Sequence, residues 1–129
     1  AEASAMLREF VANYEAGNLN VFMNLFAEQA RTNDRTNRDG IRQDYSTLFT
    51  TTAMRRMELE DVTWNLANDQ AQGMGNFVVQ VQKKGQRDIR TYTGSLSFSI
   101  ERQGEALRIT RLYHHQTRAE RVEAKGQSR

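Results

Sequence analysis

Cysteine and proline are both missing from the 129 residues of this chain. Without a thiol there is no disulfide, no thiolate nucleophile and no cysteine-based metal site, and the redox compartment stays open. Without proline there is no cis-prolyl turn, and nothing interrupts a long helix or strand. No apolar run approaches the length that spans a bilayer, which excludes insertion through a membrane helix. A large excess of either charge is also lacking: 18 Lys and Arg face 16 Asp and Glu, intermixed along the chain. The basic pI near 9.2 therefore comes without the concentrated basic face that nucleic-acid binding needs. There is no Gly-rich phosphate loop, no His-Glu-x-x-His, no acidic calcium loop and no nucleophile elbow, so no cofactor and no metal are expected. The opening Ala-Glu-Ala-Ser-Ala has neither a basic nor an apolar signal region and no initiator Met. That suggests a mature fragment or a cytoplasmic or periplasmic domain of a larger protein.

What is present is organised around Arg90 to Ile100. Tyr92, Leu96, Phe98 and Ile100 fall on one face of a period-two pattern, and Thr91, Thr93, Ser95, Ser97 and Ser99 on the other. The apolar face must meet helices. The hydroxyl face is short-chained and uncharged, suited to water or to the same face of a second subunit.

Upstream, Met6, Leu7, Phe10, Val11 and Tyr14 make one helical stripe over Ser4 to Ala16, with Ser4 as N-cap and Gly17 as the terminating residue. Asn18 can cap a second helix, Leu19 to Glu28, and Ala30 to Arg38 reads as a polar loop. A third helix, starting near Asn37 or Asp39, buries Ile41, Tyr45, Leu48 and Phe49. In the strand Met54 to Leu66, one alternation (Met57, Leu59) gives way to the opposite one (Val62, Trp64, Leu66), which predicts a β-bulge at Glu60-Asp61. Strands Ala71 to Lys83 and Ala106 to His114 complete the sheet, with turns at Asn68-Asp69, Lys84-Gly85-Gln86 and Gln103-Gly104-Glu105. Gly73 and Gly75 leave room above the sheet that a helix, a ligand or strong curvature could use, with close packing the favoured reading. The polar segment 116–129 reads as a tail outside the domain 1–115, with a surface helix around Arg118 to Lys125.

Four local patterns, Tyr14-Glu15-Ala16-Gly17-Asn18-Leu19, Leu25-Phe26-Ala27-Glu28-Gln29-Ala30, Arg38-Asp39-Gly40-Ile41 and Ile109-Thr110-Arg111-Leu112-Tyr113-His114, occur in an order and spacing that resembles the nuclear transport factor 2-like superfamily, which includes SnoaL-like and ketosteroid-isomerase-like domains. The resemblance implies an α+β fold: three N-terminal helices held in the concave face of a strongly curved antiparallel sheet of four to six strands. It also implies a cone whose open end holds a ligand pocket in enzymes and binders, and dimerisation through the sheet in scaffolds. The isomerase site is only partly matched. Asp34 falls at the general-base position, eight residues after Phe26, but the oxyanion-hole tyrosine is replaced by Phe10 and the second carboxylate by Leu96. Without those two donors an enolate lacks the hydrogen bonds that stabilise its charge. His114 matches a position often occupied by His.

Two readings follow. In one, the chain is a non-enzymatic association or binding module, a homodimer joined by Thr91, Thr93, Ser95, Ser97 and Ser99 with Met74 and Val78 of the neighbouring strand, serving as the partner-binding accessory domain of a larger protein. In the other, it is a SnoaL-like small-molecule binder or isomerase- or lyase-type enzyme with Asp34 as base. There, Tyr14, Tyr45, Trp64, Arg111 and Tyr113 line a pocket for a small carboxylate.

Overall fold

The computed structural model describes residues 2–122. Its elements follow the order α1 Glu2–Ala16, α2 Leu19–Met23, β1 Phe26–Thr32, α3 Arg38–Thr51, β2 Thr52–Ala67, β3 Gln70–Lys83, β4 Ile89–Gln103 and β5 Ala106–Val122. The five strands form one sheet in the order β1-β5-β4-β3-β2, antiparallel except for the parallel β1–β5 pair. Helices on one face of a curved sheet make this an α+β cone.

The helix ends are set by local chemistry. Gly17 takes φ +71°, and the amides of Gly17 and Asn18 both donate to the Asn13 carbonyl, closing α1. Asn18 then accepts from the Val21 amide to start α2, and Asn37 accepts from the Gly40 amide to start α3. Ser4, expected as the first cap, lies inside α1, which begins at Glu2. The second helix is shorter than its apolar spacing predicts and stops at Met23. Phe26 to Thr32 is instead edge strand β1, held by Phe26 opposite Ile109 and by the Ile109 amide donating to the Leu25 carbonyl at 2.7 Å. Pairing with β5 overrides the helix-compatible Phe-Ala-Glu-Gln-Ala, because it satisfies the backbone of two strands while burying Phe26, Ala27 and Ala30.

The core forms where α1, α2 and α3 meet the sheet. Phe10, Phe22, Phe26, Ile41, Ile100 and Ile109 are fully enclosed. Phe10 stands edge-on to Phe98 at 5.5 Å and 5.1 Å from Phe22, and Phe22 lies 4.7 Å from Tyr45. Aromatic pairs at these separations add to the area they bury.

Irregularities in the pairing bend the sheet, three of them on β2 and β5 near the site. On β2 the register shifts between Glu60 and Thr63, with Asp61 at φ +55°, so Met57, Leu59, Val62 and Trp64 all pack against the core, while Leu66 at the strand's end is exposed. The Trp64 ring covers Gly73, where an added Cβ would come within 2.7 Å of Cζ3, and Val62 covers Gly75. On β5 the register shifts at Thr110, between the pairs Ile100–Ile109 and Ser99–Arg111, and again at Thr117, between Gly94–Gln116 and Thr93–Arg118. Beyond residue 115 the chain remains strand, pairing with β4 up to Val122 opposite Ile89. The expected helix from Arg118 is therefore corrected: Thr91, Thr93 and their neighbours supply a ladder that offers more backbone hydrogen bonds than an isolated polar helix could. Its end at Lys125 lies outside the described residues.

Candidate functional site

The inner face of the sheet and helices α1 and α3 border a cavity of about 330 Å³ near the hairpin that joins β3 to β4. Its walls are apolar: Phe10, Leu48, Met57, Leu59, Phe77 and Val79 are among them. Its polar groups are the phenols of Tyr14, Tyr45 and Tyr92, Thr51, Thr52, Lys83, His114 and Gln116. Each polar group is placed by its element. Tyr14 is on the last turn of α1 and Tyr45 is in the middle of α3, and their rings meet edge-on at 6.4 Å. Tyr92 pairs with Val79, and Leu96 with Gly75 and His114, all on the inner face.

Burial pushes the Tyr14 phenol up to about 12, an effect partly countered by the nearby Arg55 cation. Tyr45 is shifted in the same direction by burial and by the neighbouring Tyr14 and Asp44. Both phenols therefore remain neutral hydrogen-bond donors across the physiological range. His114 presents its ring edge-on to Phe77 at 6.0 Å. Its backbone is pinned by Asn33, whose amide group donates to the His114 carbonyl at 3.0 Å and accepts from the His114 amide at 2.9 Å. This side chain extends the β1–β5 pairing by one step. Thr52 is almost fully buried, donates to the Leu48 carbonyl and accepts from Arg55.

Of the residues expected at a pocket, the structure brings together Tyr14 and Tyr45. Arg111 and Tyr113 are corrected to the outer face: the extra residue at Thr110 reverses the alternation, leaving Leu112 and His114 pointing inward. Out there Arg111 stacks on Tyr113 at 5.5 Å and both border a shallow groove with Ser97 and Ser99. Trp64 faces inward but lies at the opposite end of the sheet, over Gly73 and beside α1. Asp34 is exposed on the loop after β1 and is not among the residues lining the cavity; its amide is bound by the Thr32 hydroxyl. Asp44 is also exposed, in a bidentate pair with Arg35. No carboxylate lines the cavity among the described residues, and no group of three or more His, Cys, Asp or Glu is placed to hold a metal.

Sequence reasoning missed Lys83, Tyr92 and Gln116. Lys83 reads as a charged strand end, yet it continues the inward series Val79, Val81, and that continuation was the available signal. Gln116 had none, because its face depends on the irregularity at Thr110.

On the outer face, Thr91, Thr93, Ser95, Ser97 and Ser99 stand opposite Gln80, Val78, Asn76, Met74 and Gln72 respectively. This uncharged strip is bordered on β2 by Arg56, Glu58 and Glu60 and on β5 by Arg111, Arg118 and Glu120. Met74 is 64% exposed and forms the ridge between two shallow depressions.

The architecture is that of the nuclear transport factor 2-like fold. It superposes on a candidate scytalone dehydratase from Novosphingobium aromaticivorans with TM-score 0.87 at 10% identity, over 96% of this chain and 87% of the other. A candidate dehydratase of the nuclear transport factor 2-like family from Streptomyces avermitilis matches with TM-score 0.79 at 10% identity, over 91% and 95% of the two chains. The beta subunit of benzoate 1,2-dioxygenase from Burkholderia mallei matches with TM-score 0.72 at 15% identity, over 89% and 88%. No protein-family model and no curated protein matches the sequence. At these identities the likeness defines the fold; chemistry has to be argued from the site.

Proposed function

We propose that this chain is a non-enzymatic binding module that holds a small, largely apolar molecule in the cone. One observation carries the reading: the cavity offers an aromatic and aliphatic wall with neutral phenol donors, while the carboxylate at the base position, Asp34, stands outside it. Dehydratase or isomerase chemistry needs a base within hydrogen-bond reach of the proton it removes. His114 reaches the cavity but has no carboxylate partner there, so the groups present suit binding better than turnover. The test is a thermal-shift screen of apolar ligands against the protein and its Val79→Trp and Asp34→Asn variants. Ligands should raise the melting temperature of the parent and of Asp34→Asn alike, and Val79→Trp, which fills the cavity, should remove the shift. A ligand that is chemically converted, with conversion abolished in Asp34→Asn, would overturn the reading in favour of an enzyme.

The outer face supports a second, compatible role as a homodimer interface. An uncharged centre with a charged border is the composition of a protein–protein contact, and the exposed Met74 between two shallow depressions offers a second copy both a projection and a recess to pack against. Arg at both Ser97 and Val78 should leave the circular dichroism spectrum intact and give a monomer by native mass spectrometry. A double variant with the subunit count of the parent would contradict this interface.

A further inference from the structure

We infer that the molecule held in the cone is an amphipathic anion, an aromatic or aliphatic body bearing one carboxylate or sulfonate, and that Arg90 and Lys83 receive its charged end. This rests on the proposed binding role of the cavity and adds the chemical class of ligand.

Val81, which lines the cavity, is the cross-strand partner of Arg90, so their side chains rise from the same face of the sheet. Tyr92, two residues along from Arg90, and Lys83, two along from Val81, line the cavity as well. Lys83 therefore stands in the cavity wall, and Arg90, although not itself a lining residue, stands beside it on the same face of the sheet. Arg90 has a further peculiarity. Its Nε is buried and makes no hydrogen bond among the described residues. A buried guanidinium N–H with no acceptor costs free energy, and in native proteins such a group ordinarily has a partner. The adjacent acid does not serve: Asp88 is engaged by Arg121 Nε at 3.3 Å. An anion at this end of the cavity would pair with Lys83 and, with the Arg90 side chain turned toward it, give the unpartnered guanidinium an acceptor, while its apolar body lies against Phe77, Val79 and Leu48. Arg90 is suited to the task because its planar fork matches a carboxylate or sulfonate.

The experiment compares two fluorescent probes with a shared aromatic skeleton, 1-anilinonaphthalene-8-sulfonate and its uncharged counterpart N-phenyl-1-naphthylamine. They are titrated into the folded protein and into Lys83→Met, Arg90→Met and Val79→Trp variants whose folding is verified by circular dichroism. The sulfonate should bind roughly tenfold more tightly than the neutral probe, the size expected of a charge-assisted contact in a half-enclosed site. Arg90→Met should erase most of that preference and Lys83→Met a smaller part, each by weakening the sulfonate more than N-phenyl-1-naphthylamine. Equal affinity for both probes, untouched by either substitution, would overturn the anion assignment and leave the apolar cavity standing. Binding of both probes that survives Val79→Trp, or binding of neither, would overturn the cavity role and this inference together.

Discussion

Alanine at Gly94 is the substitution expected to damage this fold out of proportion to its size. Gly94 pairs with Gln116 beside the register shift at Thr117 and has Phe77 as its other cross-strand partner. An added Cβ would lie 2.1 Å from the His115 carbonyl oxygen and 2.9 Å from both Gln116 Cα and Phe77 Cε2. Two of these three are backbone atoms of β5, so no flexible side chain can swing aside. Relieving the overlap requires β5 to move by roughly 1 Å, which stretches the neighbouring ladder bonds. Overpacking of this kind costs about 1–3 kcal/mol, and each weakened hydrogen bond adds about 1 kcal/mol. The reduced freedom of the unfolded chain returns only about 0.4–1 kcal/mol. The net loss should be about 3 kcal/mol, or about 10 °C in melting temperature for a domain of this size. Gly104→Ala is the internal control, because Gly104 has φ +65° and nothing within 4 Å of an added Cβ. It should lose only the torsional cost of about 1–2 kcal/mol. Urea and thermal denaturation of both variants, followed by far-ultraviolet circular dichroism, measure the difference. A Gly94→Ala protein at least as stable as Gly104→Ala would refute the reasoning.

Arg55 binds three structural elements together. Its guanidinium donates to the Tyr14 carbonyl at 3.0 Å and to the Thr52 hydroxyl at 2.6 Å, and it lies over the Phe49 ring at 5.2 Å. Arg55→Met keeps the stem but removes the C-terminal cap of α1, and should cost about 2 kcal/mol in urea denaturation. Alkaline stability should fall in a definite window. An unfolded tyrosine ionises near 10.0 and Tyr14 in the fold only at about 12, so its contribution is complete below the first value and lost as pH rises to the second. That loss, about 2–3 kcal/mol, should shrink in Tyr14→Phe when urea midpoints are compared across the window.

The parts of the fold that sequence made legible are those fixed by residues close together. Asn18, Asn37 and Gly17 mark helix ends through contacts within one turn, and the opposed alternations on β2 carry their own bulge. What stayed hidden depends on partners far along the chain. Phe26 to Thr32 becomes a strand only because β5 lies beside it, and Arg111 and Tyr113 face outward because Thr110 is spare with respect to β4. The pair Tyr14 and Tyr45 was legible as part of the pocket, since each lies on the buried stripe of a regular helix. Lys83, Tyr92 and Gln116 completed it only once the register of β3, β4 and β5 was fixed.

The surplus residue at Thr110 behaves like a phase setting for the rest of β5. Everything after it is read one step out of frame, so a single-residue deletion there would exchange the two faces of the strand as far as the next shift. Arg111 and Tyr113 would turn into the cone, and Leu112 and His114 would turn out onto the uncharged strip. One position thus decides at once what the cavity contains and what the outer surface offers to another molecule. Substitution can alter either face alone, whereas a change in the length of this strand alters both together.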